Sequence, residues 1–251
     1  MADERRAFPA HGKVNCSLCF PVPGGTISSG KWSFHNDPGH WGSSTPTILV
    51  LGFSKGPTQK AAYSRRTFED VAFAGIRHRL QIILATLGIV SKEEDFNRRF
   101  QAIESSLAFA SLIRCTVELP DAPPKESGNL MLKVFRDPEP RHLLENCANR
   151  FLRYLPSELK LVVMLGAQDG YIKRCRRLIG AMYGAEYRYI NPVAYSTGQV
   201  TWVHATHPSR QNGHFNQWVD GAESASKLTK GYLAKEAIRG IPGLAAGHSG
   251  V

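Results

Sequence analysis

The sequence predicts an α/β fold with a mainly parallel sheet covered by helices on both faces. Three observations predict it. Four apolar runs of strand length recur along the chain, helical periodicity fills the intervals between them, and Gly or Pro punctuates the junctions. With 251 residues, 42% of them hydrophobic, the chain suffices for one large domain and excludes wholesale disorder. We expect a single domain over residues 1–251.

Residues 1–46 are rich in Gly, Pro and Ser without helical periodicity, and predict an irregular N-terminal lobe. The run Thr47-Ile-Leu-Val-Leu-Gly-Phe53 predicts the first buried strand. Phe73, Ile76, Leu80, Ile83, Leu84 and Leu87 share one helical face, and Gly88 is placed to stop that helix. A second strand is expected over about 106–114, before a proline-marked connection at Pro120, Pro123 and Pro124. Leu143, Leu144, Phe151 and Leu152 predict a helix ended by Pro156, and Leu161-Val-Val-Met-Leu-Gly166 a third strand. A basic helix follows over about 168–182, then a fourth strand at Val200-Thr-Trp-Val-His204. One last amphipathic helix is expected over about 215–238, with a loose tail over 240–251.

Lys and Arg number 31 against 21 Asp and Glu, a formal net charge of +10 that favours a polyanionic partner. No apolar run reaches the roughly 20 residues of a membrane span, and no apolar segment follows the charged N-terminus as in a secretory signal. A cytoplasmic protein without a membrane partner is expected. Five cysteines, at 16, 19, 115, 147 and 175, are an odd number and argue against a disulfide framework. Cys16-Ser-Leu-Cys19 is a metal-type pair, and with His35 and His40 it also approaches zinc-finger spacing. Zinc is therefore the alternative to any cluster held by four cysteines.

In this architecture ligands bind at the carboxyl ends of the strands. Two such junctions stand out: Leu51-Gly-Phe-Ser-Lys-Gly-Pro57 and Thr206-His-Pro-Ser209. Together with Val162-Val-Met-Leu-Gly-Ala167, they resemble the uracil-DNA glycosylase superfamily over about residues 47–220. The resemblance implies a three-layer α/β/α sandwich around a four-stranded, mainly parallel sheet. It also implies excision of uracil from DNA, with uracil-containing DNA as partner, free uracil as product and a monomeric enzyme. A DNA-damage-binding protein of the same fold with weak or no turnover is the alternative.

On this resemblance His207 is the donor that stabilises the departing base, Phe73 the stacking face, and Gly52, Phe53, Lys55 and Ser111 line the base pocket. Ser54 stands where the family carries a water-activating Asp, Asn or Glu, Lys55 where it carries proline, and Ser111 where it carries the uracil-selecting Asn. Asp70 is then the candidate carboxylate. Ser209, Arg210, Gln211 and Asn212 fall on the segment that enters the minor groove. Cys16, Cys19, Cys115 and Cys147 follow the order of the iron–sulfur branch, which implies a structural 4Fe–4S cluster.

Overall fold

The structure is a computed structural model and describes residues 8–63, 65–120, 130–224, 228–242 and 244. Most of the tail expected to be loose, and most of the proline-marked connection at 121–129, lie outside these residues. The strands run in chain order as β1 (Gly12–Lys13), β2 (Thr26–Ser29), β3 (Trp32–His35), β4 (Gly39–Gly42), β5 (Ile48–Gly52) and β6 (Leu107–Ser111). They continue as β7 (Thr116–Glu118), β8 (Leu161–Leu165), β9 (Tyr187–Asn191), β10 (Ala194–Thr197) and β11 (Val200–Ala205). The α-helices are α1 (Pro57–Tyr63), α2 (Arg77–Thr86), α3 (Leu130–Val134), α4 (Pro138–Phe151), α5 (Asp169–Tyr183), α6 (Phe215–Ala222) and α7 (Lys230–Arg239).

The four apolar runs form the parallel centre of the main sheet, in the order β6-β5-β8-β11. The expected four-stranded sheet is too small: antiparallel β4 and β1 extend one edge, β10 and β9 the other, giving eight strands. These additions are two to five residues long: β1 and β9 are partly wet, whereas the buried β4 and mostly buried β10 hold Gly, His, Ser and Thr instead of an apolar run, so all four lack the apolar signature of the centre. The N-terminal lobe is likewise not irregular. It holds β1 to β4, with β2 and β3 joining β7 in a second, three-stranded sheet.

Ile48 lies beside both Leu107 and Leu161, and Leu161 beside Thr201. This common register brings the ends of all four central strands to one rim. Alternation then divides their side chains between two cores. Ile48, Val50, Phe109, Val163 and Val203 pack with Leu80, Ile83, Trp218 and Ile238 of α2, α6 and α7. Leu49, Leu51, Ala110, Val162 and Met164 pack with Leu144, Phe151, Tyr171 and Ile179 of α4 and α5. Each fully buried aliphatic side chain contributes about 1.5–3 kcal/mol, so this register resists slipping by one residue.

Two helices depart from expectation. The helix expected near Phe73 begins at Arg77, because Phe73 (φ 53°) and Gly75 (φ 76°) are left-handed and no right-handed helix passes through them. Gly88, also left-handed at φ 76°, stops it as expected. The expected helix over 215–238 is two. Thr229 caps α7 by accepting from the Tyr232 N–H and donates to the Gly221 carbonyl, turning the chain back on itself. Gly231 makes the crossing possible: a Cβ there would lie 2.2 Å from the Trp218 carbonyl oxygen.

Candidate functional site

The rim collects Gly52 and Ser111, which pair in register, with Thr206 and His207 directly after β11. Here the loop after β11 has its own internal scaffold. His207 Nδ1 accepts from the Ser209 N–H at 3.1 Å, so the imidazole proton resides on Nε2. Burial, then the nearby Arg79 guanidinium, push the His207 pKa down to about 4, and the ring is neutral at physiological pH. The Asn212 amide donates to Thr206 Oγ1 at 2.8 Å and to the His207 carbonyl at 2.7 Å. Its side chain is thus a brace beneath the loop, whereas Arg210 and Gln211 are exposed and Ser209 is half-buried.

Phe73 is the sole non-glycine residue of positive φ among the described residues. A left-handed phenylalanine costs about 1–2 kcal/mol, a strain that clusters at functional sites. Its ring faces the end of β5: a Cβ on Gly52 would meet Phe73 Cε1 at 3.4 Å and Ser111 Oγ at 3.7 Å. Phe109 meets the same ring edge-on, with centroids 6.2 Å apart. Gly52, Phe73 and Ser111 therefore stand together.

The loop after β5 divides its residues differently from expectation. Phe53, expected in the base pocket, turns into the opposite core, edge-on to Tyr171 at 5.9 Å. Lys55, expected there too, is buried: its Nζ donates to the Arg114 carbonyl and lies 3.4 Å from Asp37 Oδ1. Burial lowers the Lys55 pKa, and the Asp37 charge opposes that shift. Only Ser54 of the three is half-buried and without a place in a core. Asp70 is exposed on a 3₁₀ turn, where its carboxylate accepts from Thr67 Oγ1 at 2.7 Å.

The four expected ligand cysteines come together from three parts of the chain. Cys16, Cys19, Cys115 and Cys147 share the wall of one hollow with Asn36 and Arg114. Asn36 Nδ2 donates to the Cys16 carbonyl at 2.9 Å and approaches Cys115 Sγ at 3.7 Å, while Asn146 Nδ2 reaches Cys19 Sγ at 3.2 Å. Burial raises the thiols of Cys115 and Cys147 to about 12. Cys175 packs apart from them, in the core with Tyr171.

Arg114 is the unexpected member. It is fully buried, burial lowers its pKa to about 10, and its Nη2 has no hydrogen-bond partner among the described residues. An unbalanced cation among four thiols fits an anionic group held by thiolates, as a 4Fe–4S cluster is. No group of three or more His, Cys, Asp or Glu among the described residues is arranged to hold a metal ion. The histidines of the zinc alternative are engaged elsewhere: His35 with Thr26 Oγ1 at 2.8 Å, His40 with the Ser43 carbonyl at 2.8 Å.

Sequence reasoning missed Asn36, Asp37, Arg114 and the bracing role of Asn212. Asp37 is 3% exposed and accepts from both the N–H and the hydroxyl of Thr116 at 2.8 Å. The signal available was the unbroken polar pair Asn36-Asp37 ahead of Pro38, and an Arg directly before an expected ligand cysteine. Compared with known families and with curated proteins, the chain has no match. Among the described residues, no helix is long and apolar enough to cross a membrane.

Proposed function

We propose that the chain is a DNA-repair glycosylase of the uracil-DNA glycosylase type, closest to the iron–sulfur branch. It flips uracil out of DNA and hydrolyses the N-glycosidic bond, leaving an abasic site and free uracil. The observation that carries this reading is the His207 loop, a neutral imidazole with Nδ1 satisfied and Nε2–H free to donate, at the same strand-end rim as Gly52 and Ser111. Two apolar cores on opposite faces of a parallel-centred sheet support the three-layer α/β/α arrangement that goes with it.

Extrusion of the nucleotide costs a few kcal/mol of unstacking, least at a mispair. The Phe73 ring, buried against Phe100 and Phe109, forms the aromatic wall of the pocket proposed for the extruded base. As the C1′–N1 bond breaks, its electron pair passes to the base and negative charge grows on the uracil oxygens. Nε2–H of His207 meets that charge, a contact worth about 2.7–4 kcal/mol when one such donor is removed. Ser54 positions the water that adds to C1′, with its proton released to solvent. Cys16, Cys19, Cys115 and Cys147 are the residues that would hold a 4Fe–4S cluster, and such a cluster would tie the N-terminal lobe to the end of β6 and to α4.

The alternative of a damage-binding protein with weak turnover has one observation in its favour. The loop after β5 offers only a hydroxyl, Ser54, because Phe53 is in a core and Lys55 is ion-paired. Excision separates the two readings. Purified protein is incubated with single- and double-stranded oligonucleotides carrying uracil, followed by alkaline strand cleavage. Cleavage that depends on uracil supports the glycosylase; tight binding of the same oligonucleotides without cleavage overturns it in favour of the binder.

A further inference from the structure

The hairpin β9–β10, absent from the sequence expectations, builds a second feature at the same rim. Its outer strand β9 is the edge of the main sheet and exposes Tyr189, 60% accessible, on the side of α5. Between β9 and α5 runs an open groove lined by Asp169, Lys173, Arg176, Arg177, Tyr187 and Tyr189.

The groove is cationic and its floor is fixed. Arg176 lies 4.9 Å from the Tyr189 ring and 6.0 Å from that of Tyr195, and donates from Nη2 to the Asn191 carbonyl. Its Nε is buried without a hydrogen-bond partner among the described residues. Lys173 and Arg177 stand exposed beside it on α5. The single carboxylate of the groove, Asp169, is ion-paired with Lys230 at 2.7 Å and so does not neutralise these cations.

We infer that the groove between α5 and β9 is a single-strand nucleic-acid site, in which Tyr189 stacks a base and Lys173 and Arg177 contact the flanking phosphates. A positive channel combined with a stacking platform is what unpaired strands require, since every base has a π-face. A duplex keeps its bases stacked internally and would use the charges while ignoring the ring. An acidic peptide would do the same.

The turn that carries the groove's outer wall is tied to β11. The Val193 carbonyl, in the β9–β10 turn, accepts from the His204 N–H at 2.8 Å, three residues before His207. Asn191 lies two strands from β11, roughly 10 Å at the usual spacing. The inference deepens the glycosylase reading and rests on it for the polymer's being DNA.

The test is fluorescence anisotropy of the full chain with a labelled oligothymidine and with the corresponding duplex, neither containing uracil. Tyr189→Ala weakens single-strand binding about 10-fold, as expected for one lost stacking platform, while duplex binding changes little. Tyr189→Phe, which keeps the π-face, restores it. Lys173→Gln and Arg177→Gln each lower the slope of log affinity against log salt by about 0.7 on the single strand. Wild-type single-strand affinity in a folded Tyr189→Ala protein overturns the inference, as does an equal loss for duplex. Because no uracil is present, Tyr189-dependent binding stands even if excision fails. Conversely, excision with Tyr189 silent overturns the groove and leaves the glycosylase intact.

Discussion

The strand-end rim and the cysteine hollow solve the same problem, placing chemistry on a fold, by opposite means. At the rim, Gly52, Ser111 and His207 follow directly from strands whose register is fixed by two apolar cores. At the hollow, Cys16 and Cys19 come from the lobe, Cys115 from beyond β6 and Cys147 from α4. Those elements are joined there by amide side chains and a buried Arg114 with an unsatisfied nitrogen. A rim made this way tolerates the loss of a functional side chain without loss of fold. A hollow made this way depends on what occupies it.

The largest effect that would sharpen this contrast belongs to His207. His207→Ala should lower excision by about 100-fold or more, the usual consequence of removing one oxyanion donor, with circular dichroism unchanged. A folded His207→Ala protein of undiminished rate would break the assignment of the rim. Next come Cys115→Ser and Cys147→Ser. Protein purified anaerobically should be brown and carry about four irons per chain. Either replacement should remove colour and iron and lower the melting temperature, whereas Cys175→Ser leaves iron in place. Colourless wild-type protein with about one zinc per chain would favour the zinc alternative.

A smaller effect follows from protons. Burial lowers His40 to about 3 and His204 to about 4, both from an ordinary value of 6.5. Below pH 6.5 the unfolded chain takes up protons that the folded chain refuses. Stability is therefore fully present above pH 6.5 and declines as pH falls towards 4. Its slope is about 1.4 kcal/mol per pH unit for each histidine. Denaturant midpoints measured from pH 7 to pH 4.5 check this, and a flat profile would contradict the neutral buried rings. The smallest effect is expected at Asp70, whose carboxylate is exposed. Asp70→Asn should change stability by no more than about 0.5 kcal/mol and leave single-turnover excision near wild type. Ser54→Ala should be the slower of the two. A far slower Asp70→Asn enzyme would restore the carboxylate to the mechanism.

How much was legible in the sequence follows the same division. Ile48 to Leu51 and Leu161 to Leu165 are apolar on both faces, so the parallel centre could be read directly. Trp32 and Phe34 alternate with Ser33 and His35 over only four residues, too short a period to stand out among Gly, Ser and Pro. The β9–β10 hairpin was hidden for the same reason, being half-wet. The break between α6 and α7 depends on Gly231 fitting against Trp218, a contact between helices that no local periodicity records. Among site residues, His207 and the cysteines announced themselves by type and spacing. Lys55 did not, because its partner Asp37 is a neighbour only in space.

That ion pair bears on where the protein can be cut. Residues 1–46 resemble a detachable appendage, and a shortened chain beginning at Thr47 would keep all four central strands. It would also strip the buried Lys55 of Asp37. Removing one partner of a buried pair costs about 3–5 kcal/mol, a large share of the roughly 5–15 kcal/mol that hold a domain together. The lobe is therefore part of the smallest unit worth expressing, and trimming it with Lys55→Met in place should be gentler than trimming it alone.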